Sequence, residues 1–186
     1  GNQSQRMKTL IEDLLSLSKI EADTSPPDKK VDMTKIIQDA IKHTEYATKQ
    51  KNINVIVNIR DELPQILGDD NQLSQVLINL ITNAAKYGYS DSDIIIEGKI
   101  TRKLPLEISE KYDKAIEISV TDKSEGIAPE HLPRLTERFY RIDSARTRKL
   151  GGTGLGLAIV KHTLNRHGGM LKVESKLGTG STFSVF

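Results

Sequence analysis

The sequence contains no cysteine, which excludes a disulfide framework, a zinc–thiolate site and a thiol nucleophile. It also has no apolar run near the roughly 20 residues of a membrane-spanning helix, and no signal peptide, so a soluble chain is expected. The chain also has no large excess of either positive or negative charge. The 27 basic and 25 acidic residues are interspersed and give a net charge of +2, too small to favour nucleic acid as a partner.

The length and composition fit one domain with an appendage. The chain has 186 residues, of which 37% are apolar, enough for one hydrophobic core. It begins with Gly1 and ends inside a predicted strand that includes residues 182–186, so we expect it to be part of a longer protein.

A glycine-rich segment at residues 151–157 is the most informative stretch. It holds four glycines and leads into a predicted amphipathic helix that ends at Gly168. Glycines before a helix N-terminus allow close approach of a ligand, and the free N–H groups favour an anion, which predicts a phosphate cradle. A plain glycine-rich turn is the alternative. Leu157 after Gly156 excludes a Walker A loop, and the polar residues before the segment do not fit a Rossmann strand.

The clearest helical period follows Asp69 or Asp70, either of which can cap a helix. Its apolar positions recur at i, i+3, i+4 and i+7. Asn79, Asn83 and Lys86 fall on a stripe beside them. Two carboxamides and an ammonium group could form a wall for a phosphate and its Mg²⁺, because Mg²⁺ prefers hard oxygen ligands. A solvated helix face is the alternative.

The remaining pattern predicts an α/β arrangement. A helix is predicted from about residue 32 to 51, and a short helix at 130–135. Residues 62–68 and 102–114 are expected to be connections, and the basic residues 142–149 a mobile lid. Asp122 ends a predicted strand, where it could accept a hydrogen bond from a ligand amine or simply occupy a turn. The predicted strands are 53–59, 93–100, 115–122, 170–175 and 182–186.

Residues 3–22 predict one amphipathic helix, followed by a linker. Its apolar stripe is too wide for an isolated helix in water, so it should pack against a second helix, another copy of the chain or the chain's own domain.

The order of these segments resembles the catalytic and ATP-binding domain of sensor histidine kinases, and most closely phosphate-regulon-type sensors. These kinases belong to the superfamily that includes gyrase, heat-shock chaperone and mismatch-repair ATPases. Residues 79–87 are similar to the N box, 122–127 to the G1 box, 137–141 to the F box and 152–157 to the G2 box. Residues 1–24 resemble the second helix of the dimerisation and phosphotransfer domain, 25–30 a linker and 31–186 the catalytic domain.

The resemblance implies an α+β two-layer sandwich, with a mixed sheet of about five strands and three helices on one face. It also implies ATP and Mg²⁺ as cofactors. Asn79 and Asn83 would hold the metal, Lys86 would neutralise phosphate charge, and Arg146 or Arg148 would reach the γ-phosphate. Asp122 would accept from the adenine amine, and Phe139 and Arg141 would anchor the lid. The full implied nucleotide set is Asn79, Asn83, Lys86, Tyr87, Asp122, Gly126, Ile127, Phe139, Arg141, Gly152, Thr153, Gly154, Leu155 and Gly156.

Two features depart from the family pattern. Ser124 stands where the G1 box usually has a glycine, and a glycine there often adopts a backbone conformation unfavourable for other residues. We therefore expect Ser124 to strain the loop or crowd the adenine. No histidine of this chain lies in a phosphoacceptor H box; His43, His131, His162 and His167 are assigned ordinary surface or core roles.

The implied activity is transfer of the ATP γ-phosphate to a histidine outside this chain, and from there to a response-regulator aspartate. The implied partners are a second copy of the kinase and a receiver domain, without nucleic acid or direct membrane contact. The implied location is the cytoplasmic side of a membrane-anchored bacterial sensor. Two alternatives stay open: a degenerate nucleotide-binding or interaction module weakened at Ser124, and an ATP-hydrolysing switch of the gyrase or chaperone type.

Overall fold

The computed structural model describes residues 2–23, 25–142 and 152–186. A long helix, α1 (Asn2–Ala22), precedes the α/β domain. The helices of the domain are α2 (Met33–His43), α3 (Glu45–Gln50), α4 (Asp70–Tyr87), α5 (Leu106–Ser109), a 3₁₀ helix (Pro129–Arg134) and α6 (Gly156–Arg166). Its strands are β1 (Lys29–Val31), β2 (Asn54–Ile59), β3 (Ile66–Gly68), β4 (Asp93–Thr101), β5 (Ala115–Asp122), β6 (Leu171–Lys176) and β7 (Gly180–Val185).

Five strands form a mixed sheet in the order β2-β4-β5-β7-β6. β2 runs parallel to β4, and the other neighbours are antiparallel. The alternate residues Ile94, Ile96, Ile118 and Val120 are buried in one core with α2, α4 and α6. The predicted two-layer fold, with a mixed sheet of five strands and helices packed on it, is confirmed.

Helix α4 is the centre of the helical layer, between α2 and α6. Asp69 caps it, because its Oδ1 accepts a hydrogen bond from the Gln72 N–H at 3.0 Å. The apolar positions that predicted the helix are all buried: Leu73, Val76, Leu77, Leu80, Ile81 and Ala84. Each large side chain among them contributes about 1.5–3 kcal/mol by leaving water. This packing fixes the rotation of α4 and therefore the direction of its polar stripe.

The helix predicted over residues 32–51 is interrupted. α2 ends at His43 and α3 begins at Glu45. Between them, the buried Thr44 hydroxyl donates a hydrogen bond to the Ala40 carbonyl oxygen at 2.8 Å. A threonine hydroxyl that bonds back to the preceding turn bends a helix, which accounts for the break.

Three further elements differ from the predictions. β1 and β3 pair as an antiparallel two-stranded sheet, and β3 lies in the segment predicted to be a connection. Strands of three residues are too short to show an alternating pattern. The predicted 102–114 connection contains the four-residue α5, held by the buried Ile108. The short helix predicted at residues 130–135 is a 3₁₀ helix that contains Pro133.

Helix α1 packs against the chain's own domain. Leu17 and Ile20 are buried against Leu155 and Ile159 of the α6 region. Helix α1 also carries large apolar side chains that stay exposed: Met7, Ile11, Leu14 and Leu15. The own-domain alternative therefore accounts for part of the apolar stripe of α1, and the rest of the stripe remains at the surface.

Across residues 2–23, 25–142 and 152–186, no helix combines the length and the apolarity needed to cross a bilayer.

Candidate functional site

A cavity of about 680 Å³ opens between α4 and the start of α6. The end of β5 and the following turn, the 3₁₀ helix, Arg141 and part of α1 complete its wall. Most of the residues predicted from the sequence line it: Asn79, Asn83, Lys86, Tyr87, Asp122, Gly126, Ile127, Arg141, Gly152, Thr153, Gly154 and Gly156. Folding thus brings four separate sequence segments to one site.

The polar stripe of α4 faces this cavity rather than bulk solvent. Asn79 Nδ2 donates a hydrogen bond to the Gly156 carbonyl oxygen at 3.1 Å, which ties α4 to the first residue of α6. Its Oδ1 accepts from Gln75 Nε2 at 2.6 Å. Asn83 lies one turn further along the same wall. The two carboxamides therefore offer hard oxygen atoms beside the glycine segment.

Lys86 lies against Gly152, where a Cβ atom would overlap its Nζ. Burial, together with the charges of Arg141 and Arg6, lowers the pKa of Lys86 to about 8. The ammonium group also lies 5.6 Å from the centre of the Tyr87 ring. Burial raises the pKa of Tyr87. A cation held in such a position is stabilised by any anion that enters the cavity.

The glycine segment needs its glycines for two different reasons. Gly152 and Gly154 have φ values of +106° and +73°, which favour glycine. A Cβ at Gly154 would also come within 2.7 Å of the Phe139 Cα. The Phe139 N–H donates to the Gly154 carbonyl oxygen at 2.9 Å, so the segment around Phe139 and the glycine segment are joined through their backbones.

Asp122 is buried at the end of β5 and lines the cavity. Its Oδ1 accepts a hydrogen bond from the Ser181 N–H at 3.3 Å. Burial raises the pKa of Asp122, while hydrogen bonds from Ser124 and Ser181 act in the opposite direction. A buried carboxylate at the cavity wall is a strong acceptor for a ligand N–H group.

The backbone of Ser124 is not strained. In the described residues, the non-glycine positions with positive φ are Asn52, Asp91 and Phe139. The buried Ser124 Oγ accepts from the Gly126 N–H at 3.2 Å. The expected backbone penalty for a serine at this position is therefore wrong, although the side chain does line the cavity.

Gly126 and Ile127 hold the turn after β5 against the β6–β7 hairpin. Gly126 has a φ of +77°, and a Cβ there would overlap the Lys176 carbonyl oxygen. The Ile127 N–H donates to Ser175 Oγ at 2.7 Å.

Several predicted site residues lie elsewhere. Leu155 is fully buried under α1 with Leu17 and Ile159, and does not line the cavity. Phe139 does not line it either, and 56% of this residue is exposed. Arg146 and Arg148, predicted to reach the γ-phosphate, lie outside the described residues, as does most of the predicted 142–149 lid.

The cavity includes residues that sequence reasoning missed. Thr9, Glu12 and Asp13 of α1 line it, and Asp13 Oδ2 accepts a hydrogen bond from Thr153 Oγ1 at 2.7 Å. His131 and Tyr140 also line it, joined by a hydrogen bond between His131 Nδ1 and the Tyr140 hydroxyl. No local pattern could reveal such contacts, because their partners are distant in the sequence or lie in irregular structure.

Comparison with known proteins identifies the class. Residues 68–186 match the family of histidine kinase-, DNA gyrase B- and HSP90-like ATPases. The chain therefore belongs to this family.

The individual relatives are sensor kinases. The chain is 35% identical over 184 residues to the sensor-like histidine kinase SenX3 of Mycolicibacterium smegmatis, covering 98% of this chain and 45% of SenX3. It is 38% identical over 182 residues to the phosphate regulon sensor protein PhoR of Pseudomonas aeruginosa, covering 98% of this chain and 39% of PhoR. The chain thus spans less than half the length of these two relatives.

A solved structure shows the same fold. Full-length ShkA in complex with AMPPNP superimposes with a TM-score of 0.78 at 25% identity, covering 98% of this chain and 36% of ShkA.

Proposed function

We propose that this chain is the ATP-binding catalytic part of a sensor histidine kinase, which positions the γ-phosphoryl group of ATP for transfer to a histidine. One observation carries the proposal: a single cavity joins the α4 amides and Lys86 to the glycine segment and to the buried Asp122. Membership of the ATPase family and the likeness to sensor kinases support it.

The adenine would lie at the Asp122 end of the cavity. Asp122 would accept a hydrogen bond from the exocyclic amine, and Tyr87 and Ile127 would line the base. A buried carboxylate that pairs with an amine discriminates strongly between adenine and other bases, because a base without that donor would leave the carboxylate unpaired.

The phosphates would lie at the other end, between α4 and the glycine segment. Backbone N–H groups near Gly152, Gly154 and Gly156, with the N-terminus of α6, would bind phosphate oxygens. Lys86 and Arg141 would neutralise charge, and we propose that Arg146 or Arg148 reaches the γ-phosphate.

The donor set also fits Mg²⁺. Asn79 and Asn83 both face the cavity with carboxamide groups, and Mg²⁺ commonly takes few protein ligands and shares phosphate oxygens. Asn79 Oδ1 would lose the hydrogen bond from Gln75 Nε2 when it binds the ion. Bound Mg-ATP would supply the transferable phosphoryl group.

Such a site acts by positioning and charge neutralisation more than by covalent chemistry. An imidazole nitrogen of the acceptor would form the new P–N bond as the bond between the γ-phosphorus and the ADP oxygen breaks. We propose that the acceptor histidine lies outside these 186 residues. The phosphoryl group would then pass to an aspartate of a response-regulator receiver domain.

The remaining assignments follow from the same proposal. Residues 1–24 would belong to the dimerisation domain, 25–30 to a linker and 31–186 to the catalytic domain. The exposed stripe of α1 would pack in a homodimer of the full kinase. The whole protein would be a membrane-anchored sensor with this part on the cytoplasmic side.

Calorimetric titration of the chain with Mg-ATP and Mg-ADP tests the site. Asp122→Asn removes the acceptor charge and Asn83→Ala removes a metal ligand; each should weaken Mg-ATP binding by roughly 10–100-fold, the range for a hydrogen bond to a charged group. Asp39→Asn, on the exposed side of α2, is the matched control and should bind like the unchanged chain. Absence of binding by the unchanged chain at millimolar nucleotide would favour the interaction-module alternative.

A transfer assay tests the activity. The chain is mixed with radiolabelled ATP and an acceptor domain from a histidine kinase of the same family. Label should appear on the acceptor histidine, and ATP turnover without acceptor should stay low. Steady turnover without acceptor would instead support an ATP-hydrolysing switch.

A further inference from the structure

Helix α1 contributes two carboxylates to the cavity beside the glycine segment. Glu12 and Asp13 line the cavity together with Thr9. The hydrogen bond from Thr153 to Asp13, at 2.7 Å, places one carboxylate on the segment that would hold the ATP phosphates.

The position of these carboxylates is fixed by contacts further along α1. Leu17 and Ile20 are buried against Leu155 and Ile159 one to two turns further along α1. Near the end of the helix, Glu21 forms an ion pair with Arg138 of the F box. The helix is thus held by apolar contacts, a hydrogen bond and an ion pair.

The electrostatic setting makes Glu12 and Asp13 unfavourable neighbours for a polyphosphate. Burial raises the pKa of Asp13; the bond from Thr153 opposes this shift, and the charge of Glu12 adds to it. Arg6 is the cation that α1 brings near Lys86. Like charges a few ångströms apart repel by about 1 kcal/mol even in water, and by more in a half-buried cavity.

We propose that Glu12 and Asp13 set the nucleotide preference of the site: with α1 docked, their charges disfavour ATP relative to ADP, so ATP binding and α1 docking oppose each other. This inference depends on the proposed function, because it takes the cavity to be the nucleotide site. The additional negative charge of ATP is on its terminal phosphate, which would lie beside α1 in the proposed binding mode because Asp13 contacts the segment that would bind the phosphates.

Linkage makes the effect reciprocal. If docked α1 weakens ATP binding by some factor, bound ATP weakens docking by the same factor. ATP would therefore release α1 from the domain, whereas ADP would leave it docked.

The test is calorimetric titration of the full chain with Mg-ATP and Mg-ADP at constant excess Mg²⁺. The double variant Glu12→Gln, Asp13→Asn keeps an acceptor oxygen for Thr153 but removes both charges. It should bind Mg-ATP about tenfold more tightly than the unchanged chain, and Mg-ADP within about twofold. Asp39→Asn makes the same chemical change away from the cavity and should bind both nucleotides like the unchanged chain.

A second variant separates charge from docking. Leu17→Ala truncates a side chain that is 1% exposed and should loosen α1 without altering its charges. It should also tighten Mg-ATP binding. Hydrogen exchange of the α1 amides in the unchanged chain should rise with Mg-ATP and not with Mg-ADP.

Three results would overturn this inference. Equal Mg-ATP affinity in the unchanged chain and the charge-removing variant, with both binding nucleotide, would overturn this inference alone. Weaker Mg-ATP binding by that variant would also overturn it, because the carboxylates would then act as ligands for the metal. Absence of nucleotide binding by every variant would reject the proposed function together with the inference.

Discussion

Lys86 and Gly152 face each other so closely that a Cβ on the glycine would overlap the lysine Nζ. One residue lies in the last turn of α4 and the other lies shortly before α6. The closeness means that the lysine can be held over the glycine backbone only while residue 152 has no side chain.

Gly152→Ala should therefore damage the site more than the fold. The φ of +106° makes alanine strained, by about 1–2 kcal/mol, and the new Cβ must also displace the Lys86 ammonium group. We expect at least about tenfold weaker Mg-ATP binding, measured by calorimetry, because a charge-assisted contact is lost.

Gly178→Ala is the matched control. Gly178 also has a positive φ, +82°, but a Cβ there would have nothing within 4 Å. It should lose similar stability in urea unfolding, about 1 kcal/mol, and keep its Mg-ATP affinity. Equal affinity losses in the two variants would show that backbone strain, rather than the Lys86 contact, is responsible.

The pKa of Lys86 predicts a pH dependence of nucleotide binding. The free site has a pKa of about 8, and a bound polyphosphate raises it by stabilising the ammonium form. Between the two pKa values the complex holds a proton that the free chain lacks. Affinity should therefore be full below about pH 8 and fall as the pH rises above it. Lys86→Met should remove this fall, and an unchanged slope in that variant would contradict the assignment.

The same shift acts in the opposite direction on the stability of the unliganded chain. Lys86 has a folded pKa of about 8 against 10.5 for an unperturbed lysine, so the unfolded chain binds more protons between these values. The free-energy cost of burying the ammonium group is fully present below about pH 8. It decreases as the pH rises from about 8 toward 10.5, so the free energy of unfolding should increase over this range. Urea unfolding over this range, compared with Lys86→Met, measures it.

Ser124 offers a test of the unusual G1 box. Ser124→Ala removes the hydroxyl that bonds to the Gly126 N–H and to Asp122, and should cost about 1–2 kcal/mol of unfolding free energy. Ser124→Gly should cost more, because it also frees the backbone of the unfolded chain. If Ser124→Gly were as stable as the unchanged chain, the hydrogen bonds of Ser124 would contribute nothing net.

Arg166 joins α6 to the segment after α1 and to the start of α4. Its side chain is 10% exposed and forms ion pairs with Asp23 at 3.1 Å and Asp69 at 3.4 Å. It also donates to the Ser25 carbonyl oxygen at 3.1 Å and to Gln72 Oε1 at 2.9 Å. Arg166→Ala should cost about 2 kcal/mol in urea unfolding, because a largely buried side chain and its hydrogen bonds to several partly exposed acceptors are lost together.

Arg60→Ala is the control for Arg166. Arg60 pairs with Glu97 at 3.2 Å, and its side chain is 57% exposed. Exposed pairs contribute little, so the loss should stay below about 1 kcal/mol. Similar losses in the two variants would mean that the Arg166 contacts are no stronger than an ordinary surface pair.

The sequence was informative wherever structure depends on local periodicity. α4 and α6 showed the period of a helix, and the strands of the main sheet showed β-branched runs, so the layer architecture could be predicted. Most of the predicted nucleotide residues line the cavity as well, because the order of the boxes is distinctive. The contact between Thr153 and Asp13 could not, since it joins residues on separate elements. Leu155 shows the same limit: the family resemblance implied a nucleotide contact, but the residue is buried against α1.

Helix α1 has apolar residues both against the domain and at the surface, and this has a consequence for assembly. Leu17 and Ile20 are buried against the chain's own domain, whereas Met7, Ile11 and Leu14 stay exposed. A partner surface can therefore cover the exposed residues while the buried ones stay packed on the domain, and because Leu14 lies one turn from Leu17 the two contacts are expected to be coupled. One helix can therefore pack on its own domain and on a partner at the same time.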